Sequence, residues 1–164
     1  MKDRRTHIIA ELEKNMEDSI VFFRSLSPDE LGTQVYQDGA QWTVQQVLAH
    51  FVTIERTMQW LFKDILAGGP GSPEDFDVER FNRSQPKKLD GLDIDELIAQ
   101  FKSVREDTIS IVKAMSHTDF DREGRHAFHG HGKLERFIRW TYEHVQIHMD
   151  DIQNTFGGNK LASA

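Results

Sequence analysis

The chain has 164 residues, no cysteine and a formal net charge of −7. That length predicts one domain that buries a core without covalent staples, and the missing cysteine excludes disulfides, thiolate zinc sites and a protein thiol nucleophile. The acidic balance argues against a nucleic-acid surface: Lys133, Arg136 and Arg139 make only a small basic patch among acidic neighbours, which reads as a solvated helix face.

Met1-Lys-Asp-Arg-Arg begins a charged amphipathic segment rather than a signal peptide, and no apolar run approaches about 18 residues. The expectation is a soluble cytoplasmic protein with no membrane segment. A first helix is predicted from Asp3 to Leu26, with Ile8, Leu12, Ile20 and Phe23 at helical spacing, and Ser27-Pro28 stops it. Leu31 to Gln41 is a connector with Gly32 and Gly39 as turn signals.

The second helix starts at Thr43, an N-cap with Gln46 three residues on. It runs through Val44, Val47, Leu48, Phe51, Ile54, Met58, Leu61, Phe62 and Ile65 until Gly68-Gly-Pro-Gly-Ser-Pro73 ends it. The connector that follows, to Leu92, exceeds the usual 2–8 or so residues between adjacent helices of a bundle, and a short helical piece is expected around Phe76–Phe81. The third helix, capped by Asp93 or Asp95, reaches about Met115. A glycine-containing loop, Ser116–Gly132, leads to the fourth, Lys133 to Phe156, with Gly157-Gly158 as its stop. No strand is expected. The reading is all-α: one four-helix bundle over residues 1–158, followed by a tail, 159–164.

His144 and His148 lie four residues apart on the fourth helix, so their imidazoles stack on one face. Such a pair alone is more often structural or exposed than metallated. His50, on the inner face of the second helix, adds a third imidazole from a facing helix, and three leave coordination positions open for water or substrate. His50 lies seven residues into its helix, about 10 Å along the axis, and His148 eight residues from the end of its own, about 12 Å. These depths match only if the two helices are antiparallel. A simple up-down-up-down bundle would put His148 about 22 Å from that end. The triad therefore predicts up-down-down-up order, with the long connector between the second and third helices as a crossover.

Trp42-Thr-Val-Gln-Gln-Val-Leu-Ala-His50, followed late in the chain by His144-x-x-x-His148, resembles the DinB/YfiT-like superfamily of metal-dependent four-helix-bundle enzymes. The resemblance covers nearly the whole domain in helix order and spacing. It implies a divalent metal, zinc or nickel, on His50, His144 and His148. Characterised relatives include thiol S-transferases and thiol-dependent isomerases. The resemblance thus implies a metal that activates water or a low-molecular-weight thiol such as bacillithiol or mycothiol, for transfer or hydrolysis of a small-molecule substrate. Asp151 stands where relatives often carry Gln. It is either a partner that orients a ligand histidine, a fourth ligand, or a solvated helix-end carboxylate.

Other candidates carry less. Glu143 points about 100° away from His144 and reads as a surface residue. Val145, not Glu, follows His144, so the zinc-protease pattern fails, and the paired Glu-x-x-His of di-iron bundles is absent. His126, His129 and His131 are expected in a solvated loop at the far end of the bundle from the triad. Trp42 and Trp60 are expected to pack. Arg80 and Arg83, in the crossover, are within reach of an anionic substrate if they are not simply exposed. No residue stands out as a general base. The competing function is a non-catalytic metal-binding stress or interaction protein on the same scaffold, and a homodimer through exposed apolar helix faces is a further expectation.

Overall fold

The structure, a computed structural model, describes residues 3–157. Gly158 and the expected tail at 159–164 lie outside the described residues. The chain is mostly helical. Four long helices, α1 (Arg4–Arg24), α3 (Val44–Leu66), α5 (Ile94–Ala114) and α6 (Leu134–Thr155), carry the core. Two short ones, α2 (Pro28–Leu31) and α4 (Val78–Ser84), sit in the connectors. None of the described helices is long and apolar enough to cross a membrane.

Local chemistry sets the starts of these helices. Ser27, Thr43 and Asp93 each accept from the amide three residues on, while Glu30, Gln46 and Glu96 reach back to the cap amide, closing three capping boxes. Gly157, at φ +67°, lies just beyond the C-cap of α6 in the left-handed conformation that glycine adopts without a Cβ penalty.

The long helices meet in two apolar layers. One joins Met16, Ile20 and Phe23 of α1 to the first half of α3 (Val44 to Val52), the first half of α5 (Leu97 to Val104) and the last half of α6 (Val145, Met149, Ile152). The other joins Ile8 and Leu12 of α1 to the last half of α3 (Met58 to Ile65), Ile109 and Val112 of α5, and the first half of α6 (Leu134, Phe137, Ile138).

Between the layers runs a buried polar belt. Arg105 is fully buried and Glu55 is 2 % exposed. The guanidinium donates from Nε to both Glu55 oxygens at 3.0 and 3.1 Å, and from Nη1 to the Leu12 carbonyl and to Asn15 Oδ1 at 3.0 Å. Thr108 donates to Glu55 at 2.9 Å, and Gln59 donates to the Val104 carbonyl and to Thr108. Charges this deep persist only when they are paired and hydrogen-bonded.

The loop before α6 departs from expectation. It contains a two-stranded antiparallel hairpin, β1 (Glu123–His126) and β2 (Gly130–Lys133), with Glu123 opposite Lys133 and His126 opposite Gly130. Four-residue strands built from Gly, His, Arg, Lys and Glu show no apolar alternation, so periodicity does not mark them. Tertiary pairing holds them instead. The Arg125 amide donates to the Pro70 carbonyl and the Ser72 amide to the Arg125 carbonyl, both at 2.8 Å. Gly71 makes this pairing possible: its φ is +89°, and a Cβ there would lie 2.4 Å from the Arg125 carbonyl oxygen. The connector between α3 and α5 thus runs from a backbone seam against the hairpin, through α4, to a 3-10 turn at Pro86–Leu89. Its helix begins later than the expected Phe76–Phe81 because Asp77 caps it, accepting from the Arg80 amide at 2.9 Å.

Candidate metal centre

α3 and α6 bring His50, His144 and His148 together, with one ligand nitrogen of each ring within 4.8 Å of the others. Nε2 of His144 lies 3.3 Å from Nε2 of His50 and 3.0 Å from Nε2 of His148. Nitrogens bound at 2.0–2.1 Å around a tetrahedral zinc are about 3.3–3.4 Å apart, so both spacings are close to a coordination edge.

Hydrogen bonding alone does not satisfy the cluster. A neutral imidazole nitrogen is either a donor or an acceptor, so the His144 Nε2 cannot donate to one neighbouring ring and accept from the other. Burial makes the neutral ring, with one N–H and one lone pair, the stable form. His50 is 2 % exposed, and burial followed by its two neighbours holds it well below the ordinary histidine value. Burial, then His148, pulls His144 down to about 3, and burial pulls His148 to about 4 against the opposing charge of Asp151. All three are neutral near pH 7, the form that binds transition metals. The chemistry of this donor set fits a divalent ion.

The orientation of His148 comes from a residue that the sequence did not flag. The Tyr36 hydroxyl donates to Asp151 Oδ2 at 2.6 Å and lies 2.5 Å from His148 Nδ1. Its one proton is given to the carboxylate, so its oxygen accepts from Nδ1–H and the His148 lone pair is left on Nε2. Asp151 therefore acts through Tyr36, and it is not among the converging ligand atoms. Burial, with the bond to Asp151, raises the Tyr36 hydroxyl above its ordinary value and keeps it protonated. A strand-like tie delivers Tyr36. Val35 donates to the Trp42 carbonyl and Val44 to that of Thr33, so the connector folds back onto the start of α3. No periodicity marks a single loop tyrosine. His50 is placed by Trp42, whose ring stacks on it at 4.3 Å, but its Nδ1 is buried without a partner.

The cluster forms part of the wall of a mostly apolar cavity of about 410 Å³, within the usual range for ligand sites. Trp42, Ile54, Met58, Leu61, Trp140 and Ile147 line it from the start and body of α3 and from α6, Phe76, Phe81 and Asn82 from the connector between α3 and α5, and His126 and Phe128 from the hairpin. A second cavity of about 380 Å³ shares Trp42, Asn82 and His148 with the first and is lined also by Tyr36, Asp38, Glu79 and Arg83.

Several expectations change here. His126 is not remote from the triad: the backbone seam folds the hairpin over the groove between α3 and α6 and sets His126 in the same cavity wall. His129 packs edge-on to Trp140 at 4.5 Å, and Trp140 contacts His144 at 5.4 Å, while His131 stays near Glu123 at the surface. Trp60 is 53 % exposed rather than packed. Arg80 and Arg83 are both exposed. Arg83 lines the second cavity, whereas Arg80 lines neither of these two. Glu143 is exposed, as expected.

The sequence model of the DinB superfamily matches residues 11–152. The chain belongs to the DinB superfamily. The match spans all three histidines together with Tyr36 and Asp151, so the whole candidate centre of this DinB chain lies inside the family region. A search of curated proteins finds none that matches.

Proposed function

We propose that this DinB protein is a metal-dependent enzyme in which His50, His144 and His148 hold a divalent ion, zinc or nickel, at the wall of the apolar cavity. One observation carries the reading: three neutral imidazole nitrogens converge where the wall opens onto space for a ligand. A structural site is closed by protein ligands, whereas a catalytic one keeps positions that face a pocket. When bound, such an ion supplies Lewis acidity and lowers the pKa of a coordinated water or thiol.

The chain's own residues do the rest. Tyr36 and Asp151 fix the ring of His148, Trp42 fixes that of His50, and the apolar walls exclude water and select an apolar small-molecule substrate. The family resemblance supports transfer or hydrolysis with a low-molecular-weight thiol, bacillithiol or mycothiol, as the cosubstrate. The up-down-down-up order belongs to the same proposal. It is supported by the two core layers, in which the first half of α3 meets the last half of α6. A cytoplasmic location and a homodimer through exposed apolar helix positions such as Val21 and Trp60 complete it, and light scattering tests the dimer.

The decisive experiment is metal analysis of the purified protein after loading, with calorimetric titration of zinc and of nickel. The expected result is one equivalent bound, lost in His50→Ala and His148→Ala. No bound metal in the loaded wild type, with no stability loss in either variant, overturns the reading. Metal-dependent conjugation of a small thiol to an apolar electrophile would then establish the enzyme. Metal binding without turnover across several physiological thiols and hydrolysable substrates would favour the non-catalytic alternative.

A further inference from the structure

His126 closes β1 with 8 % of its surface exposed and its ring against Phe137 at 5.0 Å. Its Nδ1 accepts two backbone hydrogen bonds, from the Phe128 amide at 3.0 Å and the His129 amide at 3.2 Å. A ring nitrogen that accepts from two amides carries no proton, so the proton of the neutral ring sits on Nε2. No group among the described residues bonds that Nε2, nor is it one of the polar atoms sealed from solvent. His126 lines the apolar cavity. His126 therefore carries a fixed N–H, without charge, at the wall of the cavity, and the second imidazolium proton has no place while the two amides point at Nδ1.

We infer that His126 is a substrate-binding residue whose neutral Nε2–H donates a hydrogen bond to an acceptor oxygen, a carbonyl or its equivalent, on an otherwise apolar ligand in the cavity. An uncharged donor suits a neutral acceptor in a dry site, and a donor left unpaired there would discriminate against ligands that lack one. Burial, then His129 and Arg136, pulls the ring down to about 4, which agrees with the geometry. The inference rests on the proposed use of the cavity as the substrate site but not on the metal.

The test uses chelator-treated full-length protein and two fluorescent probes of one shape, 2-acetylnaphthalene and its hydrocarbon isostere 2-isopropenylnaphthalene. His126→Asn keeps an acceptor near the Nδ1 position for the two amides and withdraws the donor from the Nε2 position, since its own NH2 ends near the Cδ2 position. His126→Gln places an amide nitrogen near the Nε2 position. The ratio of the two dissociation constants should shift against the ketone by about threefold to tenfold in His126→Asn, and His126→Gln should recover part of it. The hydrocarbon should bind all three proteins within about twofold.

An unchanged ratio in His126→Asn, or no binding of either probe to the wild type, overturns the inference. Should His126→Asn not fold, nitrogen-15 NMR of the wild-type imidazoles decides. The ketone but not the hydrocarbon should move the His126 Nε2–H resonance, and a proton on Nδ1 or equal shifts with both probes would sink the idea. Zinc titration reports on the metal reading separately, so the two can fail independently.

Discussion

Replacing Tyr36 with Phe removes a single oxygen and with it two hydrogen bonds, the one given to Asp151 and the one accepted from His148. At about 0.5–1.5 kcal/mol each, the pair is worth about 1–3 kcal/mol. Tyr36 and Asp151 are only half-buried, so solvent recovers part of it. We expect zinc affinity to fall about ten- to thirtyfold, within the usual cost of losing a partner behind a ligand histidine. The assay is competition with a chromophoric chelator at fixed pH and salt, with circular dichroism to show that the helices are intact. Asp151→Asn is the informative companion, because its amide oxygen still accepts from the Tyr36 hydroxyl and only the charge is lost. It should cost less than Tyr36→Phe. An affinity for Tyr36→Phe within twofold of wild type would refute the relay. A larger loss in Asp151→Asn would also refute it, since the carboxylate would then be acting on the metal directly.

Three further outcomes follow from the same contacts. Arg105→Met should destabilise the protein by about 3 kcal/mol or more by denaturant unfolding, because it strands the Glu55 carboxyl in the core. Burial already raises that carboxyl despite Arg105, so the loss should shrink below neutral pH as the group protonates. The metal-free protein should lose stability as pH falls from about 6.5 toward 4: His126, His144 and His148 have lowered folded values, so the unfolded chain binds more protons across that window. Each ring contributes at most about 1.4 kcal/mol per pH unit, and Glu55 pulls the other way. A flat urea midpoint between pH 6.5 and 4.5 would contradict the burial of these rings. Gly71→Ala should cost about 1–3 kcal/mol and weaken probe binding in the cavity, because strain at positive φ and the clash with Arg125 open the seam. Unchanged stability would show that the seam carries no weight.

What the sequence made legible was whatever it encodes locally. The long helices could be read because Val44, Val47, Leu48 and Phe51 recur at helical spacing and because Thr43 with Gln46 announces a start; at the third helix the sequence leaves Asp93 and Asp95 both open as caps, and the fold selects Asp93. His50, His144 and His148 were legible by the same logic, since helix periodicity fixes which face each occupies. Tyr36 and His126 were not. Their places depend on contacts between residues far apart in the chain: Tyr36 reaches His148 across 112 positions, and His126 enters the cavity because Arg125 pairs with residues near Gly71. Asp151 was singled out for its position, but its effect needed a partner that only the fold supplies.

The seam between Pro70–Ser72 and Arg125 also bears on how quickly a ligand can come and go. It joins the hairpin wall of the cavity to the start of the connector between α3 and α5 by backbone bonds, and the tip of the hairpin is tied again through the two amides on His126. Segments held this way do not swing aside as a lid would, on the microsecond to millisecond scale. Two exposed side chains also line the cavity: Phe128, 68 % exposed and stacked on Trp140 at 5.8 Å, and Ile147, 48 % exposed. Rotamer turns of exposed side chains such as these take picoseconds to nanoseconds. Association with an apolar ligand should therefore run at the rate of simple diffusional encounter, and the lifetime of the complex should be set by affinity alone.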